Sequence, residues 1–113
     1  MIYKITPRDS WNAAMTAGEY TGADVDLADG FIHFSTSEQV QETAHKHFFE
    51  QTGLVLIEFD ESDFGDALRW EPSRGGDLFP HLYGTIDSSI PHRVYDLPWS
   101  PELQKHEFSD PTA

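Results

Sequence analysis

The sequence predicts a single α+β domain built on a bent, mostly antiparallel sheet. Two amphipathic helices are predicted early in the chain, among five or six short strands, and this mixture favours helices packed on a sheet around one core. The chain has 113 residues, of which 38% are hydrophobic, so it can form one core but not two. We expect one globular domain over residues 1–100 and a polar C-terminal tail over residues 101–113.

The first predicted elements are a strand and a helix. Residues 2–5 have the composition of a short strand, and Thr6 then supplies a hydroxyl that can cap a helix, followed by Pro7 at the first helical position. The helix is expected to end at Gly18. Its buried stripe consists of Trp11, Ala14 and Met15. Residues 19–29 are mostly polar and predict a loop.

The second predicted helix follows a hydroxyl-rich segment. Thr36 or Ser37 is expected to cap it, and the helix is expected to end near Gly53. Its buried positions recur every four residues, at Val40, Ala44 and Phe48. Residues 54–59 are almost all apolar, which is typical of a central strand covered on both faces. Further strands are predicted at residues 67–71, 78–86 and 93–97, with a mobile loop at residues 72–77.

Residues 29–37 predict a half-buried strand, and one face of it carries groups that a core does not need. Side chains alternate along a strand, so one face takes Ile32 and Phe34. The other face takes Phe31, His33 and Ser35. The same lettering returns in residues 79–84, where one side takes Phe79, His81 and Tyr83. The chain thus contains the pattern Phe-x-His-x-hydroxyl twice.

Two interpretations of His33 and His81 stay open. A strand histidine is commonly structural, with its ring nitrogens bonded to backbone or hydroxyl groups. If both histidines face one cleft, they offer paired donors for sugar hydroxyls or phosphate, or an acid and a base that work near neutral pH. Glu71 is either the ion-pair partner of Arg69, which shares its face of a predicted strand, or a carboxylate of the same site.

Candidate ligand contacts flank these histidines. Ser35 and Thr36 are expected caps of the second helix, and the free amides at that helix end also suit an anion such as a diphosphate. Arg74 is a cation on a Gly-rich loop and is well placed to close over a phosphate. Tyr83 is either an ordinary strand aromatic or a residue that stacks on a planar ring. Trp70 is either a core residue or part of the ligand site.

Composition and charge argue against several classes of partner. Lys and Arg total 7 against 20 Asp and Glu, a formal charge of −13, which disfavours DNA and long RNA because cations bind their phosphates. Cysteine is absent, and no metal-binding motif is present, so we predict no metal. No segment approaches the roughly 18 apolar residues of a membrane span. We expect a cytoplasmic protein that binds a small molecule, and its oligomeric state stays open.

The chain resembles a known bacterial family in three segments. These are Gly30-Phe31-Ile32-His33-x-Ser35, Trp70-Glu71 and Phe79-Pro80-His81-Leu82-Tyr83. The family is domain of unknown function 952, and the resemblance spans residues 1–97. Members of that family resemble the ADP-ribosyltransferase fold, a split mixed sheet with a nicotinamide dinucleotide cleft between its halves. The resemblance implies such a split sheet here, with two helices in the N-terminal half of the chain and NAD as the cofactor.

The resemblance also implies roles for individual residues. His33 matches the strand histidine that holds a ribose hydroxyl, and residues 35–37 are similar to a hydroxyl-rich strand. Those transferases usually carry a glutamate on a late strand, where it stabilises the oxocarbenium-like ribose as nicotinamide leaves. Residues 93–97 contain no glutamate. The catalytic candidates are therefore His33, His81 and Glu71. The candidate cofactor contacts are Ser35, Thr36, Arg74, Tyr83 and Trp70.

Three functions are compatible with these residues. The first is an ADP-ribosyltransferase-like enzyme that transfers a glycosyl group or cleaves NAD. The second is a non-catalytic module that keeps the cleft and binds a nucleotide or another small ligand. The third is a two-histidine phosphodiesterase, because residues 33–35 fit the His-x-Ser/Thr motif of that class, although Tyr83 replaces the small hydroxyl that the second motif requires.

Overall fold

The structure is a computed structural model, and it describes residues 1–73, 76–91 and 93–108. Three α-helices lie in the N-terminal half: α1 (Arg8–Ala17), α2 (Asp24–Asp29) and α3 (Val40–His47). The longer strands are β1 (Ile2–Pro7), β5 (Leu54–Phe59), β6 (Leu68–Ser73), β7 (Asp77–Leu82) and β9 (Arg93–Leu97). The two-residue strands are β2 (Glu19–Tyr20), β3 (Ile32–His33), β4 (Ser35–Thr36), β8 (Ile86–Asp87), β10 (Trp99–Ser100) and β11 (Lys105–His106).

A four-stranded antiparallel sheet, in the order β4-β1-β5-β9, divides the core into two layers. Every residue of β5 is buried, as expected for a strand covered on both faces. One layer packs α1 against the sheet and includes Trp11, Val55 and Ile57. The other layer packs α3 through Val40 and Ala44. The predicted α+β class and the central strand are confirmed, and the likeness to the ADP-ribosyltransferase fold stays a prediction.

A second sheet, in the order β3-β7-β6, diverges from the first sheet at Phe34. The register of β4 on β1 covers Ile2 and Tyr3, whereas β5 covers β1 along its whole length. At Phe34 the chain leaves β1, and the Phe34 N–H donates to the Pro80 carbonyl at 3.0 Å. The single strand predicted over residues 29–37 is therefore two short strands that belong to different sheets. The divergence opens a cleft beside the middle of β1.

The segment predicted as a loop at residues 19–29 contains a strand and a helix. The helix α2 is hard to predict because its polarity is inverted: Val25 and Leu27 are 57% and 62% exposed, whereas Asp26 is buried. An apolar stripe normally marks the buried face of a helix, and here a carboxylate does. The number of helices in the N-terminal half is therefore three, not two.

The remaining boundaries differ from the prediction in smaller ways. Thr6 does not cap α1; its hydroxyl lies 3.0 Å from that of Tyr20, and Pro7 takes the N-cap position. The helix α3 ends at His47, before Gly53. The predicted tail begins inside a hairpin, because β11 pairs with β10 and contacts α3, while residues 109–113 lie outside the described part of the chain. Within the described residues, no helix is both long enough and apolar enough to cross a membrane.

Candidate functional site

The two motif histidines lie opposite each other. His33 of β3 pairs with His81 of β7 in the antiparallel ladder, and the ring centroids are 5.5 Å apart in an edge-to-face arrangement. Phe31 packs on both, 4.1 Å from His81 in a near-parallel stack and 4.6 Å from His33. Tyr83 lies 5.3 Å from Phe31. We refer to Phe31, His33, His81 and Tyr83 as the ring cluster.

A buried carboxylate fixes one side of His33. Asp26 Oδ1 lies 2.6 Å from His33 Nδ1 and accepts a second hydrogen bond, at 3.0 Å, from the His33 backbone N–H. The same carboxylate meets the Lys4 ammonium at 2.8–2.9 Å through both oxygens, and Oδ2 accepts from the Ala23 N–H at 2.8 Å. Asp26 thus ties α2 to β1 and to β3. An ionised carboxylate only accepts, so the bond implies that Nδ1 of His33 carries hydrogen.

The Lys4–Asp26 pair is almost sealed from solvent, with 6% and 1% of the two side chains exposed. Burial alone would raise the pKa of Asp26, but the hydrogen bond from His33 and the charge of Lys4 outweigh it and hold this pKa well below its usual range. Burial lowers the pKa of Lys4, and Asp26 opposes that change in part. Asp26 is therefore a permanently charged anchor for His33 at neutral pH.

A second carboxylate contacts the other nitrogen of the same ring. Asp29 lies four residues before His33, and its Oδ2 is 2.9 Å from His33 Nε2. Unlike Asp26, Asp29 is half exposed, with 48% of its side chain accessible. His33 is thus held by one buried carboxylate and covered by one exposed carboxylate.

His81 has its own carboxylate and a phenol. Glu71 Oε1 lies 2.9 Å from His81 Nδ1 and accepts from the Tyr83 hydroxyl at 2.7 Å. The Arg69 guanidinium lies 4.9 Å from the centre of the Tyr83 ring. The hydrogen bond from Tyr83, then that from His81, lowers the pKa of Glu71, and the same bond to Glu71 raises the pKa of Tyr83. Within the described residues, His81 Nε2 has no hydrogen-bond partner.

A cavity of about 450 Å³ adjoins the two histidines, within the size range of small-molecule sites. Its polar lining includes Lys4, Asp29, Ser35, Thr43 and three histidines, His33, His47 and His81. Its apolar lining includes Ile5, Val25, Phe48 and Phe79. The cavity lies where the two sheets diverge, since Lys4 and Ile5 belong to the stretch of β1 that β4 leaves uncovered.

The hydroxyls predicted to contact a ligand have partners within the fold. Ser35 Oγ lies 2.9 Å from Thr43 Oγ1, although Ser35 also lines the cavity. Thr36 and Gln39 exchange two hydrogen bonds, in which each side chain accepts from the other backbone N–H. Thr36 is absent from the described lining of the histidine cavity and borders a neighbouring acidic depression with Glu38 and Asp77. Neither residue caps α3 itself: the N-cap position is Gln39, which has no side-chain cap, so the predicted capping role is wrong, and Thr36 caps only the turn that precedes the helix.

Trp70 does not join the ring cluster. Trp70 pairs with Pro80, one residue out of phase with the pairing of Arg69 and His81, so it faces the opposite side of the hairpin. It is 42% exposed, and the prediction of a core residue is wrong for that reason. Arg74 lies outside the described residues, so its role stays a prediction. No group of three or more His, Asp or Glu in the described chain is arranged to hold a metal ion.

Sequence reasoning missed the residues that hold and cover His33. Lys4 and Asp26 are buried charges. In the sequence they are marked only by their neighbours: Lys4 is a single lysine in an apolar strand, and Asp26 stands between the apolar residues Val25 and Leu27. Asp29 and Phe31 stood in the motif itself but were not assigned a role. The four residues that the sequence did place together, His33, Glu71, His81 and Tyr83, lie in one connected group.

Comparison with known proteins places the chain in a family. A family model described as "Protein of unknown function (DUF952)" matches residues 5–92. The chain is similar to protein CC0527 from Caulobacter crescentus in its crystal structure, with 45% identity over 98% of this chain and 96% of that chain and a TM-score of 0.92. The solution NMR structure of CC0527 gives 48% identity, coverage of 89% and 87%, and a TM-score of 0.81. No curated protein matches the sequence. The chain therefore belongs to the DUF952 family.

Proposed function

We propose that this chain binds a nucleotide, with NAD as the first candidate, in the cavity beside His33 and His81. The observation that carries the proposal is the pairing of the two imidazoles across β3 and β7, each held by a carboxylate and both lining one cavity. Nδ1 of each ring is bonded to its carboxylate, so Nε2 is the nitrogen that a ligand would use, and a ribose hydroxyl suits it because a hydroxyl can both donate and accept. The cavity is large enough for part of a dinucleotide, and the rest would extend into the open cleft.

The aromatic surroundings favour a ligand with a planar ring. Phe31 and Tyr83 lie next to His81 but outside the described lining of the cavity, and stacked or tilted rings at such separations contribute about 0.5–1.5 kcal/mol beyond burial. A ribose at the histidines with its base against the ring cluster would use both features. Arg74 remains the proposed contact for the diphosphate.

A non-catalytic binding module is the form of the proposal that the described contacts favour. An ADP-ribosyltransferase-like reaction breaks the C1′–N bond of NAD, nicotinamide leaves with the electron pair, and a nucleophile bonds to C1′. Such chemistry benefits from a carboxylate beside the developing positive charge. Glu71 is bonded to His81 and Tyr83, and β9 contains no glutamate. Glu71 and His81 would therefore have to serve the reaction while bonded to each other.

The phosphodiesterase alternative needs Ser35 beside a phosphate that also contacts His33. Ser35 Oγ instead pairs with Thr43, on the side of α3. The alternation of strand faces that placed His33 and Ser35 together is interrupted at Phe34, where the chain passes from one sheet to the other. Hydrolysis of a 2′,3′-cyclic nucleotide would support this alternative over the nucleotide-binding proposal.

Binding is tested by titrating NAD into the ¹⁵N-labelled protein and following backbone amide shifts. We expect saturable shifts at His33, His81 and their neighbours, and loss of these shifts in His33→Ala and His81→Ala. The matched control is His45→Ala, because His45 is exposed on α3 and does not line the cavity in the described structure. Absence of any shift at the two histidines up to millimolar NAD would contradict the proposal.

Turnover is tested separately by measuring nicotinamide released from NAD. Saturable binding without release supports the module. Release that is abolished by His33→Ala in a folded protein, but retained in His45→Ala, establishes the enzyme instead. The amount of nicotinamide released thus distinguishes the binding module from the enzyme, and it is measured on the same samples as NAD binding.

A further inference from the structure

The last residue of α2 and the two residues that join this helix to β3 contact both imidazoles of the ring cluster. We refer to residues 29–31 as the resident turn. We propose that the resident turn fills the site in the free protein, and that the ligand replaces it by presenting an oxygen acceptor to His33 Nε2 and a planar ring to His81. This inference rests on the proposed function and adds the chemical class of the ligand.

Within the resident turn, the carboxylate of Asp29 takes the position that the proposal assigns to an oxygen of the ligand. Its carboxylate lies 2.9 Å from His33 Nε2, the ring nitrogen that the buried anchor Asp26 does not use. Asp26 makes contacts with Lys4, Ala23 and His33 and is fixed, whereas Asp29 is half exposed. Exposed pairs of this kind contribute about 0–1 kcal/mol, so a ligand oxygen can take the place of Asp29 at small cost.

Within the resident turn, the ring of Phe31 takes the position that the proposal assigns to a planar ring of the ligand. It stacks on His81 with an interplanar angle of 24° and is tilted against His33 and Tyr83. Its neighbours Ile32 and Phe34 belong to the buried core, but Phe31 is only half buried and belongs to neither core cluster of the described residues. Its packing therefore serves the ring cluster and not the core.

Gly30 gives the turn room to leave. It adopts φ +85°, a left-handed conformation that glycine takes without strain, and a side chain built there would meet no atom within 4 Å. The turn is attached to α2 by the hydrogen bonds that the Gly30 and Phe31 N–H groups donate to the Asp26 carbonyl, at 2.9 and 3.2 Å. Outward movement of residues 29–31 has to break these two backbone bonds, whereas the bonds between the Asp26 side chain and His33 do not involve the turn.

The contacts of the resident turn indicate which chemical groups the ligand must carry. The acceptor and the ring must reach two imidazoles whose centroids are 5.5 Å apart. A nucleoside or nucleotide has both groups at such a separation, a planar base and a ribose or phosphate oxygen. Simple sugars and inorganic phosphate have the oxygen without the ring, and nicotinamide alone has the ring without the ribose. We therefore expect NAD and adenosine monophosphate to bind more tightly than ribose 5-phosphate.

The test uses variants that remove the turn's contacts and leave the histidines in place. Asp29→Ala frees Nε2 of His33, and Phe31→Leu removes the ring while keeping an apolar side chain. If the turn competes with the ligand, both variants bind NAD more tightly than the wild type. The expected factor is about two- to fivefold for Asp29→Ala, which loses an exposed ion pair. It is about two- to twelvefold for Phe31→Leu, which loses ring contacts. Asp24→Ala, at an exposed carboxylate of the same helix, is the matched control and leaves the affinity unchanged.

Weaker or unchanged binding in Asp29→Ala and Phe31→Leu would overturn the inference, because residues that contact the ligand lower affinity when removed. A second measurement does not depend on the variants. In the free wild-type protein, Phe31 and His81 ring protons give nuclear Overhauser effects, and saturation with NAD abolishes them if the ring is displaced. Retention of these effects in a saturated complex would overturn the inference while leaving the proposed function intact. If neither wild type nor variants bind NAD, the proposed function fails as well.

Discussion

Asp26 holds His33 by two separate groups, its backbone N–H at 3.0 Å and its ring Nδ1 at 2.6 Å. One buried carboxylate thereby sets both where the histidine sits in the chain and how its ring is turned. The same carboxylate neutralises Lys4. The orientation of the candidate site and the stability of the fold therefore depend on one side chain.

Replacing this carboxylate is expected to destabilise the fold strongly. Asp26→Asn leaves Lys4 buried without a counter-charge, and removing one partner of a buried pair typically costs about 3–5 kcal/mol. Urea unfolding of the variant and the wild type gives the difference. Asp24→Asn, at an exposed position of α2, is expected to stay within about 0.5 kcal/mol of the wild type. Similar losses in both variants would show that the buried pair is not the cause.

The contribution of Asp26 is expected to depend on pH in one direction. Its pKa in the folded protein lies below the ordinary value of 3.8, so the folded state binds fewer protons than the unfolded chain as the solution becomes acidic. The stabilisation is complete above about pH 4 and is lost as the pH falls below that value. The stability gap between wild type and Asp26→Asn should therefore shrink between neutral pH and about pH 3. A gap of constant size would contradict the low pKa.

The sequence allowed the histidine pair to be predicted, and not its supports, for a physical reason. His33 and His81 follow from the two-residue period of strands, which is a local property. Asp26 acts through contacts with Lys4, which is 22 residues away, and with His33, which belongs to another element. In α2 the apolar residues Val25 and Leu27 are exposed to solvent, so the apolar pattern does not mark the buried face. Local pattern cannot reveal a buried carboxylate whose partners arrive from other elements.

The same limit explains the errors in the fold. β5 was predicted correctly because its continuous apolar run reports burial on both faces directly. The strand over residues 29–37 was predicted as one element because its alternation continues through Phe34. It is split because β4 pairs with β1 while β3 pairs with β7. The cleft arises because the two short strands pair with different sheets, and the local sequence pattern does not show with which strand a segment pairs.

Gly22 is expected to be required for the position of Asp26. A Cβ at Gly22 would lie 2.8 Å from Asp26 Cβ, a separation that forces a shift, and its φ is +114°. Gly18 is the matched control, since it also has a positive φ, +86°, but open space around it. Both Gly→Ala variants carry backbone strain of about 1 kcal/mol. Only Gly22→Ala is expected to move the amide resonance of His33 as well.

An unchanged His33 resonance in Gly22→Ala would mean that Asp26 relaxes away from the added methyl group without disturbing its bond to the ring. Comparison of the two variants by urea unfolding separates the steric effect from the strain. We expect Gly22→Ala to be the less stable of the pair.

The two tryptophans of α1 and β6 are expected to differ sharply in their importance for stability. Trp11 is 4% exposed and packs in the core beside Tyr20, with ring centroids 5.6 Å apart. Trp70 is 42% exposed on the face of the hairpin that points away from His81. Trp11→Ala is expected to lower the free energy of unfolding by about 3–5 kcal/mol. Trp70→Ala is expected to cost less than about 1 kcal/mol and to leave NAD binding unchanged.

A loss of NAD affinity in Trp70→Ala would contradict its placement outside the ring cluster. Tyr83→Ala provides the positive comparison, because Tyr83 contacts Phe31 and bonds to Glu71. The two substitutions remove aromatic rings of nearly equal exposure, 42% for Trp70 and 40% for Tyr83.

The bond between Tyr83 and Glu71 is expected to be visible in the titration of the phenol. The hydrogen bond that the Tyr83 hydroxyl donates to Glu71, and then the negative charge of that carboxylate, raise the pKa of Tyr83 above its ordinary value of 10.0. In Glu71→Gln that charge is gone, and the pKa of Tyr83 is expected to fall toward 10.0. Phenolate absorbance followed against pH gives the shift, and the Tyr83 contribution is identified by its loss in Tyr83→Phe. Burial raises the pKa of Tyr3 and Tyr20 to about 12, so these two ionise at higher pH.

The control is Glu61→Gln, at an exposed residue outside the ring cluster, which should leave the titration curve unchanged. Identical titration curves for Glu71→Gln and the wild type would show that Tyr83 is not bonded to Glu71 in solution. Glu71 would then be bonded to His81 alone.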